Sequence, residues 1–226
     1  VKLLALDTSS LACTVGLAVG EARHVRHAEQ AREHTRLLLP MIRDVLADGG
    51  LAPADLDAIV LGNGPGSFIG LRIAASVAAG LGYASGRPIV PVSSMAAVAM
   101  QAGGPGETVA VTQDAHMNQV YLGLYRIDSA GIAVPVAPER LQPLALIPEV
   151  AGGEVIAAGA GWERYPALLA ANRDGVGTVS DVRYPESPAL LTLGALAYSA
   201  GATVGPEAIR PAYLRHEVAA VPGSRP

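Results

Sequence analysis

Ala58-Ile59-Val60-Leu61-Gly62-Asn63-Gly64-Pro65-Gly66-Ser67-Phe68-Ile69-Gly70-Leu71-Arg72 is a short apolar run, a cluster of glycines and the start of a long apolar segment. The spacing predicts a strand over 58–61, a loop over 62–66 and a helix over 67–85. A strand that turns through glycine into a helix is the unit of an α/β fold. Upstream, 2–6 and 13–19 are apolar runs joined by Asp7-Thr8-Ser9-Ser10, turn chemistry that marks a hairpin, and 24–30 reads as a third, more polar strand. A helix is expected over 36–48, with Thr35 as its N-cap, Pro40 just past its first turn and Gly49-Gly50 closing it. Downstream, 88–92 is a strand, and Ser93-Ser94 cap a helix reaching 102. The first half therefore reads βββαβαβα.

The same order returns after Gly103-Gly104-Pro105-Gly106, the best linker in the chain. Strands are expected at 108–112, 120–127 and about 132–136, the first two joined by the turn Asp114-Ala115-His116-Met117-Asn118. A short helix at 144–150, a strand at 154–158, a helix at 162–172, a weak strand near 178 and a helix at 188–200 complete it. The expected architecture is two α/β lobes of βββαβαβα, 1–102 and 103–226, the second closing with a proline-rich tail (205–226) expected to end in disorder.

Composition narrows the function. Half of the 226 residues are apolar and only 16% are charged, against roughly 25% for globular chains. The longest charge-free stretches, 73–86, 88–106 and 187–206, are broken by Gly, Ser or Pro, and none reads as a clean membrane span. The N-terminal apolar run is too short for a signal-peptide core. A soluble, cytoplasmic protein with much apolar surface to bury is expected. A net charge of −4 argues against gripping nucleic acid unaided. One cysteine, Cys13, excludes an internal disulfide and a cysteine-rich zinc site, and Lys2, the only lysine, leaves none for Schiff-base or P-loop chemistry.

The candidate sites each have two readings. The glycine loop could offer helix N-terminal amides to phosphate. However, Leu71-Arg72 stands where a P-loop needs Lys-Ser/Thr, and no acid occurs between Asp57 and Glu107 to complete a dinucleotide fingerprint. Its other reading is a tight turn that lets a helix pack closely on a sheet. Asp7, Thr8, Ser9 and Ser10 could hold phosphate, with Asp7 orienting a metal-bound water, or could form an Asx-type turn. Asp114 occupies the matching turn, and two such turns would frame a cleft between the lobes. His24 and His27 point to opposite faces of a strand and cannot share a metal ion without distortion; His34 reads as a helix-start residue. Ser67 is not in a nucleophile elbow. No catalytic or metal set emerges, and Cys13 reads as a buried strand residue.

In the first helix Leu37, Leu38, Met41, Ile42 and Val45 form one stripe, with Leu39 and Leu46 off it. The second carries no charge from 73 to 85. A helix apolar all round is buried all round, so one side is expected to cover the sheet and the other to meet a protein partner.

Leu4-Ala5-Leu6-Asp7-Thr8-Ser9, His34-Thr35 ahead of a leucine run, the 64–73 glycine segment, Asp114-Ala-His-Met-Asn-Gln-Val-Tyr121 and Tyr213-Leu-Arg215 together resemble the TsaB (YeaZ) family along nearly the whole chain. That family is the non-catalytic subunit of the bacterial machinery that makes tRNA threonylcarbamoyladenosine. The resemblance implies an actin/Hsp70/sugar-kinase-like fold and a scaffold role beside the metal-bearing catalytic paralogue TsaD and the ATPase TsaE. It also implies a homodimer when alone, tRNA contact only through the complex, no membrane, and no intrinsic cofactor, with a nucleotide allowed at an interface of the complex. The family's dimer surface falls on 37–46 and 69–81, adding Ile69, Arg72, Ile73 and Val77 to the stripe. The sequence departs from the family's usual Thr, Arg and Glu at Ile69, His116 and Gln119. The glycoprotease-like label once given to the family has no catalytic residues here to support it. The alternative function is a small ATP-dependent phosphotransferase acting alone through the interlobe cleft.

Overall fold

The computed structural model describes residues 1–30 and 32–214, so Arg215 and the end of the tail lie outside the described residues. Two five-stranded mixed sheets organise the chain. The first contains β1 (Lys2–Asp7), β2 (Ala12–Val19), β3 (Ala22–Glu29), β4 (Ala58–Gly62) and β5 (Ile89–Val92), in the order β3-β2-β1-β4-β5. The second contains β6 (Thr108–Asp114), β7 (Gln119–Ile127), β8 (Ala133–Pro143), β9 (Val155–Ala158) and β10 (Val176–Val179), in the order β8-β7-β6-β9-β10. Each sheet is an antiparallel three-strand meander whose first strand also pairs in parallel with the fourth, and the fourth with the fifth. The two halves thus repeat one topology, that of an actin-like α/β fold.

Both faces of the first sheet are covered, and the alternation along β1 shows how. Leu4 and Leu6 pack with Leu38, Ile42 and Val45 of α1 (His34–Asp48) and with Ala74 and Ala78 of α2 (Phe68–Ser85). Leu3 and Ala5 point the other way, to Ala97 of α3 (Ser94–Ala102) and to Leu190 and Leu191 of α6 (Ser187–Ser199). Met95, Val98 and Ala99 of α3 pack instead with Val109, Val111 and Tyr125 of the second sheet. Hence α3 and α6 form a middle layer shared by both sheets. α6 follows the second sheet in the chain yet covers the first, and just beyond it Val204 bridges to Ile89 of β5.

Three local expectations are corrected. No helix forms over 144–150. Pro148 has no N–H to give, and β8 runs on to Pro143. Asn172 ties the segment down instead, its Oδ1 accepting from Ile147 N at 2.7 Å and its Nδ2 donating to Ala145 O at 3.1 Å. The helix expected over 162–172 is two pieces, α4 (Ala160–Arg164) and α5 (Pro166–Ala171), because Pro166 cannot continue the ladder. Helix α1 begins at His34 with Glu33 in the cap position and no side-chain cap, so Thr35 is not the N-cap. Among the described residues α2 is the one helix long and apolar enough to cross a membrane, over 18 residues including Arg72. Here it lies on the sheet through Leu71, Ala74, Ala75 and Ala78.

Sharing the middle layer predicts one cooperative unfolding transition. Trp162, the only tryptophan, is buried under the second sheet with its indole N–H on Ala110 O. Leu190→Ala, which empties a site against the first sheet, should cost about 2–5 kcal/mol. Trp162 fluorescence should report the same shift in denaturation midpoint as far-UV circular dichroism.

Candidate functional site

The turn after β1 is closed from within. Asp7, Thr8 and Ser9 are buried. The Asp7 carboxylate accepts from Ser94 Oγ at 2.5 Å and from Ser9 N at 2.6 Å. Ser94 Oγ in turn accepts from Gly64 N at 3.0 Å. Burial raises the Asp7 pKa from its ordinary 3.8 to about 6, against the opposing pull of the Ser94 and Ser9 hydrogen bonds. Thr8 Oγ1 donates to Gly70 O at 2.7 Å, and Ser10 Oγ accepts from Ala12 N at 3.2 Å. Asp7 and Thr8 are therefore internal braces, a correction to the reading in which Asp7 orients a metal-bound water. Only Ser9 and Ser10 of the four reach the cleft.

The glycine loop takes its close-packing reading. Ser67 caps α2, its Oγ accepting from Gly70 N, while Ser67 N donates to Ser9 O. A Cβ on Gly66 would sit 2.1 Å from Ser9 O, and one on Gly70 would sit 1.9 Å from Thr8 O. These glycines let the start of α2 rest directly on the β1–β2 turn, and part of the amide cluster that phosphate would need is already used.

The second turn does face the first. Ser9, Ser10, Gln113, Asp114 and His116 line one cavity of about 920 Å³ between the lobes. Asp114 is held on all sides: Oδ1 accepts from Tyr165 Oη and from His116 N, both at 2.8 Å, and Oδ2 meets Arg164 Nε at 2.9 Å. His116, Met117 and Asn118 all adopt positive φ, a costly conformation for three successive non-glycine residues. Burial pushes the Cys13 thiol up to about 12, far from a reactive thiolate. His24 and His27 stand opposite Leu17 and Thr14 across the β2–β3 ladder. Among the described residues no three of His, Cys, Asp or Glu gather as a metal site.

The outer side of α1 and α2 carries the apolar surface. Leu38, Ile42 and Val45 are buried against the sheet, and of the three only Leu38 also lines the groove between the helices. Leu37 and Met41 flank it, half-buried. Of the apolar residues that line the space between the two helices, Leu39 at 56% and Ile69 at 70% are exposed. Together with Thr35, Ile73, Ser76 and Val77 they line a groove of about 430 Å³ between the helices. Arg72 borders it, its guanidinium 3.6 Å from the Phe68 ring centroid and its Nε donating to Tyr213 Oη at 3.0 Å. Of the two leucines off the stripe, Leu46 is buried in the core and Leu39 is exposed.

A family model described as TsaD, tRNA N6-adenosine threonylcarbamoyltransferase, matches residues 25–161. The tRNA threonylcarbamoyladenosine biosynthesis protein TsaB of Haemophilus influenzae is 34% identical, over 96% of this chain and 94% of its own. The protein of the same name from Escherichia coli is 33% identical, over 96% of each. The chain belongs to the TsaB family. Among solved structures, YeaZ from Pseudomonas aeruginosa superimposes with a TM-score of 0.83 at 33% identity, over 94% of this chain and 99% of that one. A Pseudomonas aeruginosa protein described as similar to peptidase YeaZ gives 0.84 at 36% identity, over 95% and 99%. Of the three positions read as departures, Ile69, exposed on α2, and His116 both line the cleft, and Gln119 opens β7.

Two outcomes follow for the TsaB-type turn. Between pH 4 and 6 the folded chain holds a proton on Asp7 that the unfolded chain has released, so this group's contribution to stability falls as pH rises through that window. The drop is about 3 kcal/mol. Asp7→Asn should remove it, so in urea titrations the variant gains on the parent from pH 4 to 6.5. Gly70→Ala should lose about 1–3 kcal/mol to the Thr8 carbonyl. Gly80→Ala, facing open space inside α2, should gain about 0.5–1 kcal/mol.

Proposed function

We propose that this chain is a non-catalytic scaffold that shapes and activates the threonylcarbamoyl transferase complex modifying the adenosine beside the anticodon of tRNA. The observation that carries the reading is the apolar outer face of α1 and α2, where Leu39, Phe68 and Ile69 stand exposed beside the groove. Isolated exposed hydrophobics are ordinary, but a contiguous set rimmed by an arginine and aromatic rings has the make-up of a protein-binding hot spot. The names of the relatives, TsaB proteins of tRNA threonylcarbamoyladenosine biosynthesis, support the pathway.

The partner proposed for this face is the catalytic paralogue TsaD, with a second copy of the chain taking its place when the paralogue is absent. TsaE joins that assembly, tRNA is met only through it, and the setting is the cytoplasm. The other reading, a lone ATP-dependent phosphotransferase, draws on the interlobe cavity. It loses Asp7 as its catalytic acid, because that carboxylate is buried and bonded to Ser94.

Mixing the purified chain with the catalytic paralogue should give a stable heterodimer by size exclusion with light scattering. Leu39→Glu/Ile69→Glu should weaken it by about 100-fold or more, as expected when two exposed anchors are replaced by charge. The variant should unfold at the parent's midpoint. No complex with the parent, or an equally tight one with the variant, would sink the reading.

A further inference from the structure

We propose, on the scaffold reading of the outer face, that Arg72 anchors a carboxylate presented by the protein that docks there, and that this anchor favours the paralogue over a second copy of the chain. Arg72 is the one charged residue lining the α1–α2 groove, where Leu39, Ile69, Ile73 and Val77 supply apolar surface. Its side chain is exposed yet held. The guanidinium lies 3.6 Å from the ring centroid of Phe68, one turn back along α2, and 5.7 Å from that of Tyr213. Nε donates to Tyr213 Oη at 3.0 Å. Among the described residues neither Nη group has a hydrogen-bond partner, and no carboxylate comes within ion-pair distance. A guanidinium fixed in this way keeps two parallel donors for a carboxylate and loses little freedom on binding one.

Tyr213 reaches Arg72 from far along the chain. Just before it, Ala212 N donates to Asn63 O at 3.2 Å, and Asn63 Nδ2 donates to Arg210 O at 3.0 Å. Tyr213 is thus a positioning residue, acting through Arg72. The charges of the helix pair decide which partner fits. Glu33 at the cap of α1 has Arg36, Asp44 has Arg43 at 3.4 Å, and Asp48 has Arg26 at 2.5 Å. Helix α2 carries no acid. A second copy presenting the same two helices therefore brings Arg72 no unmatched carboxylate and adds an identical cation, which costs affinity. A partner with an apolar ridge and one unmatched Asp or Glu satisfies both the walls and the edge of the groove.

The test is calorimetric titration of the chain with the purified paralogue, with self-association followed by sedimentation equilibrium. The parent should bind the paralogue about ten-fold or more tighter than it binds itself. Arg72→Ala should weaken the heterocomplex about 30-fold, the loss of one hot-spot side chain, and leave self-association no weaker. Tyr213→Phe removes only the hydroxyl; it should weaken the heterocomplex about 3–10-fold and change nothing further when Arg72 is already alanine. Neutralising the paralogue's surface carboxylates one at a time, Asp→Asn or Glu→Gln, should find one whose loss is likewise silent beside Arg72→Ala. Arg126→Ala, on β7 of the second sheet, should bind as the parent does. All variants should keep the parent's far-UV circular dichroism. The proposal alone is overturned if the heterocomplex forms and Arg72→Ala binds with parent affinity, if no carboxylate couples to Arg72, if the self-complex is as tight as the heterocomplex, or if both lose equally. No heterocomplex with the parent overturns the scaffold reading as well.

Discussion

The Asp7 carboxylate ends the central strand of the first sheet at a place no water reaches, and the hydroxyl of Ser94 meets it there. That single bond joins β1 to the first residue of α3, 87 positions along the chain. Because Ser94 Oγ also accepts from Gly64 N, the same hydroxyl sets the glycine loop and, through it, the start of α2. A buried carboxyl group is unfavourable when ionised, and its raised pKa shows that its bonds only partly offset the loss of water. What the arrangement fixes is direction: α3 must leave the first sheet at one angle and run into the second.

From that angle the rest follows. α3 presents Ala97 to one sheet and Met95, Val98 and Ala99 to the other, and α6 returns to close the face that α3 leaves open. Two sheets that share a layer hold their facing turns at a set distance, so the cavity between Ser9 and Asp114 is part of the packing and not an accident of loops. On the far side, α1 and α2 cover the first sheet, and the 204–213 segment runs along α2 from Gly82, beside Pro206, to Phe68 and Arg72, beside Tyr213. The apolar residues left outside are then a consequence of the layer order: three layers are closed by the chain itself, and the outer helix pair keeps an exposed apolar face.

Much of this was legible in the sequence because it depends on local chemistry. Alternating apolar strands, glycine after β4 and serine before α2 and α3 mark their elements without tertiary information. The repeat was legible as order, and both sheets carry it. The destination of α6 was not, since a helix apolar on every side fits either sheet. The 144–150 segment has helix-like apolar spacing, but Pro148 and the distant Asn172 side chain decide its shape. Asp7-Thr8-Ser9-Ser10 reads correctly as a turn, yet its burial depends on Ser94 and Gly70, which no local pattern reveals. Part of the stripe turns inward for a physical reason: helical periodicity reports the side that packs on the protein's own core, which takes Ile42 and Val45, whereas Ile69, named with the stripe, and Leu39, left off it, stand exposed.

The central claim is that this outer face, and no other, receives the catalytic paralogue. Hydroxyl-radical footprinting of the chain with and without that paralogue tests it residue by residue. The account predicts loss of oxidation at Leu39 and Phe68 on complex formation, with Met117, 71% exposed on the β6–β7 turn, labelled as before. A complex that leaves Leu39 and Phe68 fully labelled while shielding Met117 would contradict it.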